Sequence, residues 1–173
     1  MSFFIFAMGK GKRVLAIIFF IIFGLVGIIL WQEITINDGK LHLVFCDIGQ
    51  GDAIFIRTPQ KTDILLDGGP DRRVLDCLSK HMPFWDRTID VVILSHPHQD
   101  HFAGLIDVLQ SYTVLSFYSE NLVNKSAGFR ELQNALSAKD EKIRYLSTGD
   151  VLKTKDGLSM EVLAPSQTFL DRT

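Results

Sequence analysis

The chain has 173 residues, 47% of them hydrophobic, and a formal net charge of −2. That length holds a single domain of ordinary size. Lys10, Lys12 and Arg13 are the basic residues ahead of Trp31; the rest carries 15 basic against 20 acidic side chains, which excludes a protein that grips nucleic acid by charge alone.

Val14 to Trp31 is an uncharged run of eighteen residues, long enough to cross a bilayer core. Lys10, Lys12 and Arg13 precede it, and Glu33 and Asp38 follow it. The positive-inside tendency therefore predicts a cytoplasmic segment over 1–13, a transmembrane span over 14–31 and an extracytoplasmic remainder. A cleaved signal peptide has a shorter apolar core and a small-residue cleavage site. This run closes on Ile-Ile-Leu-Trp-Gln-Glu instead, so the expectation is an uncleaved, single-pass anchor in the cell membrane.

Gln32 to Lys40 reads as a polar connector with a turn at Asn37-Asp38-Gly39. Leu41–Cys46, Ala53–Thr58 and Asp63–Leu66 predict three short strands in an antiparallel meander. Val74, Leu75, Leu78 and Met82 are spaced for one helix face, which Pro83 stops. Val91–Leu94 predicts a buried strand. The next helix is expected to start near Phe102 and carries Leu105, Val108 and Leu109. Val114–Tyr118 reads as a strand, Phe129–Ala138 as a helix, and Ile143–Leu146, Val151–Thr154 and Leu158–Leu163 as strands. This order fits an α/β fold in which helices cover a mixed sheet. Cys46 and Cys77 lie in apolar segments, in neither a CxxC nor a Cys/His spacing, and read as buried thiols. An extracellular location permits a disulfide between them.

The chemistry concentrates in Ser95-His96-Pro97-His98-Gln99-Asp100-His101. Three imidazoles and a carboxylate follow directly on a buried strand. Such donors suit zinc, or manganese and iron where the site is carboxylate-rich. His96 and His98, two apart in an extended segment, project to the same side and share one metal. Asp100 and His101 reach a second if the chain turns there into a helix. Pro97 stiffens the loop and holds His96 extended. Two ions about 3.5–4 Å apart would polarise a substrate oxygen and generate a hydroxide nucleophile near neutral pH.

His96-x-His98-x-Asp100-His101 resembles the HxHxDH signature of the metallo-β-lactamase fold. Asp67, in Leu-Leu-Asp-Gly-Gly, resembles that fold's strand-end aspartate. Asp47-Ile48-Gly49-Gln50-Gly51-Asp52-Ala53 is similar to the DVGQGDA opening of one branch, as is Ser95-His96-Pro97-His98-x-Asp100-His101-x-x-Gly104-Leu105. That branch contains the extracytoplasmic hydrolase-like domain of the competence DNA-uptake protein ComEC and its stand-alone relatives. The likeness runs from about Leu41 to Pro165.

The resemblance implies the N-terminal, incomplete portion of an αββα sandwich over 41–173, with two zinc ions expected at one edge, manganese being the alternative. His96, His98, Asp100 and His101 would be metal ligands, with Asp100 also catalytic. Asp67 would orient ligands from behind, and Asp47, Gln50 and Asp52 could line the rim. The implied activity is metal-dependent hydrolysis of a phosphodiester such as DNA, in competence-related uptake. The family's second ligand set, a bridging aspartate and later histidines, has no counterpart here, since no histidine follows His101. Asp150 stands in a TGD triplet, yet ahead of the strands that precede that motif in relatives. His42 and His81 read as strand-edge and helix-end residues. The alternative expectation for function is a non-catalytic or truncated module, or one half of a split enzyme completed by a partner chain.

Overall fold

The computed structural model describes residues 9–121 and 124–164. The first eight positions of the expected cytoplasmic segment, and the end of the expected domain from Pro165 on, lie outside the described residues. The chain divides into two units after Asp38.

The first unit is helix α1 (Lys10–Ile36). From Gly11 to Ile36 it is long and apolar enough to cross a membrane, and its apolar window is unburied. Its 27 residues span about 40 Å at 1.5 Å per residue, against a hydrocarbon core of about 30 Å. The helix continues past Trp31, so part of the expected connector is helical. Backbone hydrogen bonding needs no apolar side chains. Asn37 closes the end by donating from its backbone N–H to Glu33 O (3.0 Å) and from Nδ2 to Glu33 Oε2 (2.8 Å).

The second unit is built on strands β1 (His42–Phe45), β2 (Ile54–Arg57), β3 (Asp63–Leu66), β4 (Thr88–Ile89), β5 (Val91–Leu94), β6 (Thr113–Val114), β7 (Phe117–Glu120), β8 (Ile143–Leu146), β9 (Val151–Lys153) and β10 (Ser159–Glu161). Six of them form one sheet in the order β1-β2-β3-β5-β7-β8. β1, β2 and β3 are the antiparallel meander; β3, β5, β7 and β8 run parallel. Parallel neighbours need crossovers, supplied by helices α2 (Arg73–His81), α3 (Gln99–Ser111) and α4 (Ala127–Ala138).

The helices bury their apolar stripes on one sheet face. Val74 and Leu78 of α2, Leu105, Val108 and Leu109 of α3, and Phe129, Leu132 and Leu136 of α4 pack with Phe55, Leu65, Val92, Leu94 and Phe117. Along each strand the alternate residues, among them Ile54, Ile56, Leu66, Val91 and Ile93, are half-buried on the other face. The β9–β10 hairpin reaches this face, where Leu152 and Met160 line a cavity with Val91 and Tyr118. The mixed α/β architecture is the one expected.

β5 spans Val91–Leu94 as expected, with Asp90 ahead of it accepting a hydrogen bond from Asp63 N (2.9 Å). Two local readings are corrected. The strand expected over Val114–Tyr118 is two: β6 pairs with β4 and β7 with β5, the chain changing sheets at Leu115-Ser116. Helix α3 starts at Gln99 rather than near Phe102, which puts Asp100 and His101 on its first turn.

The cysteines are also corrected. Cys46 and Cys77 are not thiols but a disulfide, with their Cα atoms 5.6 Å apart. The end of β1 and the middle of α2 meet within the range a disulfide bridges, although the residues are 31 apart in sequence.

Candidate metal centre

β3 and β5 are parallel neighbours with Leu66 opposite Ile93. The residues that follow them, Asp67 and Ser95, therefore emerge at the same sheet edge. Asp67 adopts a left-handed backbone (φ 58°), a region that Asp tolerates better than most residues and that often marks functional turns. The turn is locked on both sides: Asp67 N donates to Ile93 O (2.8 Å) and Gly68 N to His101 O (2.7 Å), and Gly104 N donates to Gly69 O (3.0 Å). A Cβ on Gly104 would lie 2.1 Å from Gly68 O. Helix α3 thus backs directly onto the 67–69 turn, and its first turn is presented at the sheet edge.

The Asp67 carboxylate is 3% exposed and fully engaged. Its Oδ1 accepts from Ser95 N (2.7 Å), and its Oδ2 accepts from Ser95 Oγ (2.6 Å) and His101 Nδ1 (2.8 Å). Ser95 Oγ also lies 2.9 Å from His96 Nδ1. A hydroxyl has one proton. With that proton given to Asp67, His96 must donate from Nδ1 to Ser95 Oγ. When both rings are neutral, this network places their protons on Nδ1 and leaves the Nε2 atoms of His96 and His101 as the bare nitrogens. This is the orienting arrangement that metal-binding histidines use.

The three rings of the motif meet. The His96 ring centroid is 3.9 Å from that of His101 and 4.6 Å from that of His98. Burial pushes the His96 pKa below its usual value, and charge on His101 and His98 pushes the same way, against Asp67 and Asp100. His96 is thus held neutral, the form that ligates. Asp100 is exposed, with Oδ2 3.9 Å from His101 Nε2. Pro97 is buried, and its carbonyl accepts a hydrogen bond from Asn124 Nδ2, which ties the ligand loop to the segment after β7.

The rim residues divide. Asp52 Oδ2 comes within 4.0 Å of His101 Nδ1, and its carbonyl accepts from Gly69 N. Gly51, at φ 84°, leaves no room for a Cβ beside Asp100 O. Asp47 lines a separate cavity with Arg73 and Cys77, and Gln50 is exposed. Asp150 is a turn residue, its carboxylate accepting from Ser147 N (2.8 Å). Burial pushes the His81 pKa below its usual value, and the neighbouring His42 and Lys80 push the same way.

Two side chains without a role in the sequence reading belong to this edge. Ser95 is the relay just described. Glu120 ends β7, one residue past the Leu94↔Ser119 pair. It shares a cavity of about 390 Å³ with Ser95, Leu66 and Ile93. Its Oε1 is buried with no hydrogen-bond partner, and burial pushes its pKa up, with His98 opposing. An acid at the C-terminal end of a parallel strand, level with the histidine loop, was the signal for it.

The donor set fits a divalent cation in its chemistry: neutral imidazoles with oriented Nε2 atoms and an adjacent carboxylate. It falls short in placement. Among the described residues no group of three or more His, Cys, Asp or Glu side chains is placed so that it could hold a metal ion.

Comparison with known proteins agrees with this fold. The metallo-beta-lactamase SMB-1, solved with mercaptoacetic acid, superposes with a TM-score of 0.50 at 17% identity, over 70% of this chain and 49% of that one. The metallo-beta-lactamase fold protein YhfI from Bacillus subtilis gives a TM-score of 0.48 at 20% identity, over 67% and 49%. A diphosphatase from the PhnP family gives 0.42 at 18%, over 60% and 39%. The chain spans less than half the length of each of these structures. The family profile described as Metallo-beta-lactamase superfamily matches residues 46–169, most of the chain. By that match, the chain belongs to the metallo-beta-lactamase superfamily.

Proposed function

We propose that this chain is a membrane-anchored, metal-dependent hydrolase acting on phosphodiesters outside the membrane, of the ComEC-like branch. His96, His98, Asp100 and His101 are its metal donors, Asp67 orients them, and Asp47, Gln50 and Asp52 stand at the rim. The observation that carries the reading is the relay from Asp67 through Ser95 to His96 and directly to His101. It favours, at the sheet edge, the tautomer that ligation needs in two imidazoles, and the superfamily generally binds metal ions, often zinc.

Bound divalent ions would supply polarisation of the scissile phosphate and charge neutralisation. The chain's own residues do the rest. Asp67 fixes ring orientation and keeps the Nδ1 protons inward. Asp100 Oδ2 stands outside the relay, on the open side of His101, where it takes the proton of an attacking water. The basic flank of α1 supports a cytoplasmic N-terminus, and the Cys46–Cys77 disulfide suits an oxidising exterior.

A second reading rests on the donor count. A module with no group of three ligands among the described residues needs a further segment or a partner chain to complete the site. The test is hydrolysis of bis-p-nitrophenyl phosphate by the full chain with zinc or manganese. Activity abolished by His98→Ala supports the enzyme, and activity surviving that substitution overturns it. Zinc binding without hydrolysis favours the incomplete module.

A further inference from the structure

We propose that two copies of this chain join through strand β1, which pairs antiparallel with itself about Val44 and fuses their sheets into one.

β1 is an outer strand of the six-stranded sheet, with β2 on one side and, among the described residues, no strand on the other. Cys46 N donates to Ala53 O (2.9 Å), in register with the pairs Val44↔Phe55 and His42↔Arg57. Backbone groups turn to alternate sides along an antiparallel strand. His42, Val44 and Cys46 therefore turn theirs to β2, and Leu43 and Phe45 turn theirs outward. The side chains alternate between the two faces. Val44 and Cys46 pack against the core beneath the helices. Leu43 and Phe45 project from the open face, 55% and 73% exposed, with Leu41 beside them at 53%.

Natural sheets protect their outer strands with charges, Pro or bulges. β8, the outer strand on the opposite side, follows that rule: it carries Arg144 and is preceded by Glu141 and Lys142. Leu41 to Cys46 reads Leu-His-Leu-Val-Phe-Cys, with no lysine, proline or acid, and its register with β2 is unbroken. Outward N–H and C=O groups on a strand that also bears exposed apolar side chains are a template for a further strand.

The pattern is complementary to itself, which selects a second copy as the occupant. A two-fold axis through Val44 sets Leu43 of each copy opposite Phe45 of the other. Both members of that pair have outward backbone groups, so each pair exchanges both of its N–H···O bonds. On the open face the same pairing packs leucine against phenylalanine as direct cross-strand neighbours. The helix layer agrees. Cys77 is bonded to Cys46 and His81 lies near His42, so α2 runs antiparallel to β1. Between them runs a groove of about 290 Å³ lined by Val44, Phe45, Asp76 and Lys80. Asp76 and Lys80 are exposed. The same axis reverses α2 against its copy and brings Lys80 of each toward Asp76 of the other. The contact is isologous and closed, the commonest symmetry of homo-oligomers.

The full chain is solubilised in mild detergent and its mass followed by multi-angle light scattering over a dilution series. A dimer that dissociates on dilution is expected. Leu43→Pro deletes an N–H that points away from β2, so the β1–β2 ladder survives. The dissociation constant should rise by about 10- to 100-fold, one outward donor being lost from each copy. Phe45→Lys, at an exposed position, should have the same effect, and it carries the test if Leu43→Pro does not fold by circular dichroism. Phe45→p-benzoylphenylalanine maps the contact: irradiation should crosslink it to residues 41–45 of a second copy. A wild type that is monomeric at every concentration overturns the pairing. So does a dimer that Phe45→Lys leaves unchanged, which assigns association to α1 or another surface, and so does a crosslink to any other segment.

Discussion

Asp67 and Ser95 are joined twice, by Ser95 N to Oδ1 at 2.7 Å and by Ser95 Oγ to Oδ2 at 2.6 Å. The second bond commits the serine proton, so His96 Nδ1 must be the donor in its own contact with Ser95. Ser95→Ala removes the acceptor and frees the His96 ring while leaving the Asp67–His101 bond intact. Zinc affinity is expected to fall by about 10–100-fold, measured by competition with a chromogenic chelator, with little change in thermal stability. Unchanged affinity would mean that the relay plays no part in ligation.

At the far edge, Arg57 Nη1 bonds both carboxylate oxygens of Asp63, at 2.6 and 2.8 Å, and both side chains are buried. Burial nevertheless wins over Arg57, aided by Asp86 and Asp90, and pushes the Asp63 pKa from 3.8 up to about 7. A carboxyl whose pKa is higher folded than unfolded contributes stability below its unfolded value and loses that contribution as pH rises through its folded one. Urea midpoints of the wild type should therefore fall between about pH 5 and about pH 7.5, and Asp63→Asn should flatten that slope. Arg57→Leu, which strands the acid, should cost about 3–5 kcal/mol near neutral pH.

The Cys46–Cys77 bond closes a loop of sequence separation 31. In the chain-entropy account, Cys77→Ser should lower stability by about 3–4 kcal/mol. Denaturant unfolding with and without reductant checks this: the wild type should shift on reduction and the variant should not.

Gly104 has no space for a methyl group, with Gly68 O and Asp71 O at 2.1 and 2.4 Å from an ideal Cβ. Both contacts are backbone, so Gly104→Ala must push α3 off the 67–69 turn and carry His101 with it. We expect a loss of about 2 kcal/mol or more, together with weakened zinc binding. Wild-type stability in this variant would show that the close approach is not needed.

The parts legible in sequence are those whose partners lie close along the chain. The meander over β1–β3 belongs to this class and is where it was expected. The parts missed depend on long-range pairing. Ser95 acquires its role from a carboxylate 28 residues away, and Cys46 acquires its partner from a helix in another layer. The start of α3 was within reach: extended His98 and acidic Asp100 in the first turn are ordinary N-terminal signals. Glu120 looks like any strand-end acid until the sheet order sets it beside Ser95.

The claim on which the account rests is that His96, His98, Asp100 and His101 capture divalent cations. Elemental analysis of the purified full chain, wild type against the His96→Ala/His98→Ala double variant, tests it most directly. The account predicts zinc or manganese in stoichiometric amount in the wild type and its loss in the variant. A wild-type chain without metal after incubation with either ion, or a variant that retains it, would contradict the account.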